Sequence, residues 1–139
     1  DELFSMFPKG KYPVSPEELE AVALTRKSPT VVTAGGEVAA YCNLYDVVEG
    51  ASAWLGNVIV HPEFRRAGVG SLLIASMKHI ALSDHRASAL HLVCHNTNTR
   101  ALQFYDKLGF RPYDLVTMAD YRGNAIVGIL MSTRLRESE

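Results

Sequence analysis

Residues 61–70 read His-Pro-Glu-Phe-Arg-Arg-Ala-Gly-Val-Gly, set between the apolar run Val58, Ile59, Val60 and the helix-like Ser71, Leu72, Leu73, Ile74. The chain here leaves a strand, presents Arg65 and Arg66, gives up side chains at Gly68 and Gly70, and starts a helix. The first N–H groups of a helix lack internal partners and sit at the positive end of its dipole. Glycines at 68 and 70 let those groups approach an anion without Cβ interference, and the arginines add charge at the rim. Phosphate is the group that such a turn suits. A dinucleotide fingerprint would need a third glycine where Leu73 stands, and a Walker loop would need Gly-Lys-Ser/Thr; neither is present. A tight turn capping an ordinary helix accounts for the same residues, so this stretch alone does not decide.

A second constellation runs from Asn98 through Ala101, Leu102, Phe104 and Tyr105 to Leu108, Gly109 and Phe110. Its apolar residues recur at helical spacing, with Asn98 as the natural cap and Gly109 as the natural stop. From spacing alone Tyr105 is a core residue of an amphipathic helix, Asn98 is a cap, and Arg65 and Arg66 are solvated loop charges.

The elements that must position these residues can be read from pattern. Residues 3–7 suggest a short helix stopped before Pro8. Ser15 before Pro16 and two glutamates predicts a second helix over 16–27, with Leu19, Val22, Ala23 and Arg26 on one face and Ser28-Pro29 ending it. Strands over 30–34 and 38–45 flank Gly35-Gly36, a hairpin turn. A strand over 53–60 is stopped by Pro62. A helix is predicted over 70–83, a strand over 89–94, a helix over 99–108, and strands over 110–118 and 125–133. The order predicts an α+β domain with a mixed sheet in which the strands ending at Val60 and Cys94, joined through a helix, run parallel.

The chain has 139 residues, enough for one domain with its own core, read as a single unit over 1–139. At 47% hydrophobic and 21% charged residues it falls in the globular range, and a net charge of −1 argues against a nucleic-acid binder that relies on bulk charge. Cys42 and Cys94 lie in apolar segments without metal spacing and read as reduced core thiols of a cytoplasmic protein. The five histidines form no metal pattern. No run is long enough to cross a bilayer, and the start, Asp1-Glu2, is unlike a secretory leader, so no membrane partner is expected.

Together the two constellations resemble the GNAT superfamily of N-acetyltransferases. That family carries P-x-x-R/Q-x-x-G-x-G/A after a strand, then N-x-x-A-x-x-F-Y-x-x-x-G-F. Val60, Pro62, Arg65, Gly68 and Gly70 fit the first block; Asn98, Ala101, Phe104, Tyr105, Gly109 and Phe110 fit the second. The resemblance implies the GNAT fold: a mixed, mostly antiparallel sheet with splayed parallel central strands flanked by helices. It also implies acetyl-CoA as co-substrate. The backbone of Val58, Ile59 and Val60 would pair with the pantetheine arm. The N–H groups of Arg66, Ala67, Gly68, Val69, Gly70 and Ser71, with Arg65 beside them, would hold the pyrophosphate, and Asn98 would contact the cofactor chain. A strand N–H near Val60 would polarise the acetyl carbonyl, and Tyr105 would protonate the departing thiolate.

The acceptor implied is a primary amine, first of a small molecule and next of a protein or peptide. An acyl-CoA-binding regulator without turnover is the reading from another class. Two places depart from the family. A glutamate base usually stands where this chain has Gly56-Asn57 or Val93, which leaves His95 first, then His91, Asp46 and Glu49, as proton acceptors. The family's domain also opens on a strand for which Asp1-Glu2-Leu3 leaves no room. Acceptor choice would fall to residues 7–12, with Lys9, Lys11 and Tyr12, and to 120–124, with Tyr121. A dimer through the C-terminal strands is implied by the resemblance only.

Overall fold

The computed structural model describes residues 17, 26–65, 67–120 and 122–137. The expected helix over 3–7, nearly all of that over 16–27, and Arg66, Tyr121 and the loop residues 7–12 lie outside them; Glu17 is helical. The elements are β1 (Lys27–Ala34), β2 (Glu37–Val48), β3 (Ser52–Val60), a 3-10 turn (Pro62–Phe64), α1 (Val69–His85), β4 (Ala89–His95), α2 (Thr99–Lys107), β5 (Arg111–Ala119) and β6 (Ala125–Arg134). The strands form one six-stranded sheet in the order β1-β2-β3-β4-β6-β5. This is the mixed α+β sheet that the element order predicted.

The expected element types hold over the described residues, and the differences lie at the ends. Lys27 belongs to β1, so no helix reaches it; Ser28 at φ 48° and a register shift between Lys27 and Thr30 let the strand start three residues early. Gly35 and Gly36, at φ 59° and 84°, make the expected hairpin turn. α1 begins one residue before Gly70 because Gly68 adopts the left-handed cap conformation, and it runs on to His85. Phe110 stays out of β5: its N–H bonds back to the Tyr105 carbonyl (3.0 Å), and its ring is fully buried. Lys78 seals the same helix end, its Nζ donating to the Leu108 carbonyl at 2.6 Å.

Alternation along the strands separates two faces. Ala40, Cys42, Leu44, Ala53, Leu55, Leu90, Leu92 and Cys94 point into one core with Leu73, Ile74, Met77 and Ala81 of α1 and Tyr105 of α2. The opposite face carries Tyr41, Asn43, Tyr45, Trp54, His91 and Val93.

β3 and β4 are parallel but paired only through Ser52, Ala53 and Trp54 against Ala89, Leu90 and His91. Beyond that rung they part. The cause lies in β3. Against β2, Tyr41 pairs with Ile59 and Asn43 with Gly56, so Asn57 and Val58 oppose the single residue Cys42. This is a β-bulge, with Asn57 at φ 56° supplying the left-handed residue. Bulges sharpen local twist, which turns 58–60 away from β4.

Gly56 makes the bulge compact: a Cβ there would lie 2.7 Å from Asn43 Oδ1 and 2.8 Å from the Tyr45 ring. Gly56→Ala is therefore expected to cost ~1–3 kcal/mol through overpacking. Urea unfolding checks this: the midpoint should fall with the slope unchanged, and an unmoved midpoint would contradict the assignment.

Candidate active site at the strand fork

The fork between β3 and β4 is lined by backbone that would otherwise complete a ladder. On one side, 59 and 60 are paired with Tyr41 and Ala40 of β2; their other edge lacks β4. Half of the N–H and C=O groups of this stretch thus face the opening, which suits an extended guest with amide groups of its own. Val58, Ile59 and Val60, the residues expected beside the pantetheine arm, form this stretch of β3.

At the mouth, the chain passes from Val60 through the 3-10 turn into α1. His61 Nδ1 caps that turn by accepting from the Glu63 N–H at 3.2 Å. The Arg65 N–H turns back to the Pro62 carbonyl and the Ala67 N–H to the Phe64 carbonyl, both at 3.4 Å, while the first helical bond runs from the Leu72 N–H to the Gly68 carbonyl at 3.0 Å. The N–H groups of Gly68, Val69, Gly70 and Ser71 lie between, at the positive end of a 17-residue helix. Of the described N–H groups in the expected anion set, that of Ala67 is the one turned back to a carbonyl of the loop itself.

The two glycines do different work. Gly68 has φ 80°, and a Cβ there would meet nothing within 4 Å. At Gly70 a Cβ would stand 3.1 Å from Phe104 Cζ, so its absence lets α1 close on α2. The missing side chain at Gly70 is thus used by Phe104, a contact that leaves the Gly70 N–H untouched.

α2 sets the inner end. Asn98 caps it as expected, its Oδ1 accepting the Ala101 N–H at 3.2 Å, which leaves the side-chain NH2 as a donor. Tyr105 is 8% exposed and packs edge-on between Phe104 and Phe110. Burial pushes its phenol well above the ordinary tyrosine value, with Cys42 and Cys94 adding to the rise. Burial also raises those two thiols, to about 12 for Cys42 and about 11 for Cys94. The hydroxyl therefore stays protonated in a volume where a thiolate would be strongly basic.

On the other face, the last paired rung carries an aromatic group. Trp54 stacks on His91 at 4.7 Å, and Tyr45 lies 6.1 Å from Trp54 with Arg26 4.4 Å above its ring. Tyr113 of β5 completes it, its hydroxyl 2.9 Å from His91 Nδ1. Burial lowers the His91 pKa, which favours the neutral ring. His95 is differently placed. Its Nδ1 accepts the Thr97 N–H at 3.2 Å and meets Thr97 Oγ1 at 2.6 Å, so the neutral ring carries its proton on Nε2, buried and without a partner. Glu49 lies in the β2–β3 turn bonded to His85, away from this rung. No cluster of metal-ligand type occurs among the described residues, and none of their helices is long and apolar enough to cross a membrane.

Sequence reading missed Trp54, Tyr113 and Asn57. Gly-Asn within a strand was the available sign of the bulge. The meeting of Trp54 with Tyr113 depends on strand order and had no local sign.

The Acetyltransferase (GNAT) family model matches residues 1–110. Over 65 residues the sequence is 35% identical to the thialysine N-epsilon-acetyltransferase of Bos taurus; that stretch is 47% of this chain and 38% of the relative, so the match spans about two fifths of the relative's length. Among solved structures, the ribosomal-protein-S18-alanine N-acetyltransferase from Escherichia coli superposes with a TM-score of 0.73 at 21% identity, over 99% of this chain and 88% of that one. A GNAT family acetyltransferase from Elizabethkingia anophelis with acetyl-CoA bound gives a TM-score of 0.69 at 19% identity, over 92% and 95% of the two chains. At such identities the structural likeness speaks to fold.

The division of labour between the glycines is testable by a double-mutant cycle on unfolding free energy. Gly70→Ala is expected to cost about 1 kcal/mol by overpacking, recovered when Phe104→Leu is added. Gly68→Ala should cost about 1–2 kcal/mol through left-handed strain, with no recovery. Equal coupling of both glycines to Phe104 would overturn the distinction.

Proposed function

This chain belongs to the acetyltransferase (GNAT) family, and on that footing we propose that it transfers acetyl from acetyl-CoA to a primary amine of a small molecule by direct attack. The observation that carries the reading is the fork itself: unpaired strand backbone, an open helix N-terminus at its mouth and a buried phenol beside Cys42 and Cys94. Acetyl-CoA supplies an acetyl group already activated as a thioester. The residues fit such a guest. The edge of 58–60 pairs with an amide-bearing arm, the N–H groups of Gly68, Val69, Gly70 and Ser71 receive a pyrophosphate, and the Asn98 NH2 donates to the arm. Arg65 borders the same loop, and Arg66 follows it in sequence.

Within the fork, a β3 N–H near Val60 stabilises negative charge developing on the acetyl oxygen. Tyr105 holds its proton until a sulfur anion forms beside it. Burial raises the Cys42 and Cys94 thiols in the same volume, which makes a departing sulfur more basic there than in water. For the amine's own proton the geometry favours His91 over His95. The His95 Nδ1 is engaged by Thr97 and its Nε2 carries hydrogen. His91 stands on the rung where the strands part; with Tyr113 accepting from Nδ1, its Nε2 is free to accept.

The test is thiol release from acetyl-CoA with polyamines, aminoglycosides, amino acids and N-terminal peptides as acceptors. Release with one small-molecule class over the no-acceptor background supports the reading; silence across the panel with acetyl-CoA still protecting the fold favours a binding role. Tyr105→Phe should lower kcat about 10²-fold while CoA affinity, by calorimetry, stays near wild type. Equal loss of both would remove Tyr105 as the acid. His91→Gln should also lose about 10²-fold; because burial lowers the His91 pKa, the wild-type to variant ratio should hold at the ordinary histidine value of about 6.5 and shrink only at pH below it, where the protonated ring no longer accepts. A ratio independent of pH would sink the assignment.

A further inference from the structure

At the far end of α1, about 25 Å of helix away from the phosphate loop, three side chains from distant segments meet. His85, the last residue of α1, places Nδ1 2.7 Å from Glu49 Oε1 and Nε2 3.0 Å from Ser28 Oγ. Glu49 comes from the β2–β3 turn and Ser28 from the start of β1. With the carboxylate holding the Nδ1 proton, Nε2 keeps its lone pair and accepts from the serine hydroxyl. We propose that Ser28 is an acyl-accepting nucleophile activated by His85 and Glu49, a second reactive site of this chain for small activated carboxylic esters.

Two further features support this. First, Ser28 stands at φ 48°, a left-handed conformation that costs a non-glycine residue energy and persists only where the surroundings enforce it. A register irregularity between Lys27 and Thr30 lifts it out of the regular ladder, and the Thr30 hydroxyl donates to its carbonyl at 2.9 Å. The hydroxyl is thereby set against the imidazole. Second, the turn bearing Glu49 is tied to the histidine's own backbone, since the Gly50 N–H donates to the His85 carbonyl at 2.8 Å. The His85 side chain is 13% exposed and that of Glu49 67%, so the base is held in place while the carboxylate's outer edge meets water. Nucleophile, base and orienting carboxylate within hydrogen-bond reach is the arrangement that activates a serine.

The step balances without a further reagent. Ser28 Oγ attacks the ester carbonyl carbon, an Oγ–C bond forms, and the bond to the leaving alcohol oxygen breaks. The serine proton passes to His85 Nε2 and on to the leaving oxygen. The imidazolium formed in between is stabilised by Glu49. The products are O-acyl-Ser28 and an alcohol.

The experiment treats the whole chain with a fluorophosphonate probe and, separately, with p-nitrophenyl acetate, and maps adducts by peptide mass spectrometry. Ser28 is expected to carry both adducts at stoichiometric occupancy, and saturating CoA should leave the labelling unchanged. His85→Gln should slow labelling about 10²-fold, and Ser28→Ala should abolish it. Glu49→Gln, which still accepts from Nδ1, should retain the fold and slow it less. Wild-type protein without a Ser28 adduct, or a His85→Gln variant with a wild-type unfolding midpoint labelled at the wild-type rate, overturns the proposal and leaves the three residues as a clasp. Neither result depends on the acetyltransferase reading.

Discussion

The structure turns on a ladder that stops early. After Trp54 and His91, the central parallel strands leave two rows of backbone groups facing one another without bonding. Peptide groups left unpaired inside a sheet forgo the ladder's hydrogen bonds, so the gap persists only because something forces it. The bulge at Asn57 and Val58 does so from within β3, where an extra residue changes the twist while the pairing with β2 continues on either side of it. Position 57 needs a residue that tolerates the left-handed region, and asparagine does so more readily than most. Position 56 needs no side chain at all, because Asn43 and Tyr45 fill the space. The local sequence Gly-Asn thereby sets the shape of a cleft that neither residue was expected to build.

The two sides of the sheet then acquire different chemistry. On the helix side the core beneath the sheet is dry: Phe110 is fully buried, and the phenol of Tyr105 and the thiols of Cys42 and Cys94 are held neutral by burial. On the other side the same rung carries Trp54, His91 and Tyr113, polar enough to hold a hydrogen bond and a neutral imidazole. In the proposed reaction, a proton leaves on the wetter face and another arrives on the dry one, with the sheet between them as the partition.

Much of this was legible in the residues. Gly35-Gly36 marked a hairpin, Asn98 and Gly109 bounded a helix, and the continuous apolar character of 58–60 pointed to a strand that ends at Pro62. These signals are local, because caps and turns are decided by the residues that form them. The boundaries that moved did so for tertiary reasons. Phe110 was drawn back onto α2 and into the core, and Lys27 and Ser28 were drawn into β1 beside His85. Gly70 shows the limit of motif reading most clearly. Its neighbourhood matched an anion loop, yet the space a side chain would take is taken by Phe104, more than thirty residues on. The different hydrogen bonding of His91 and His95 was likewise invisible for His91, since its partner Tyr113 comes from another strand.

A strand bonded along only one edge has two populations of amide hydrogens. Between 58 and 60, the amides that point toward β2 are locked in a ladder, while those that point into the fork meet solvent whenever no guest lies there. In deuterated water the free protein should therefore trade its hydrogens along this stretch at alternating speeds, fast and slow by turns, instead of fraying uniformly from the strand end. The alternation is a record of the bulge written in isotope, readable without any knowledge of what the cleft receives.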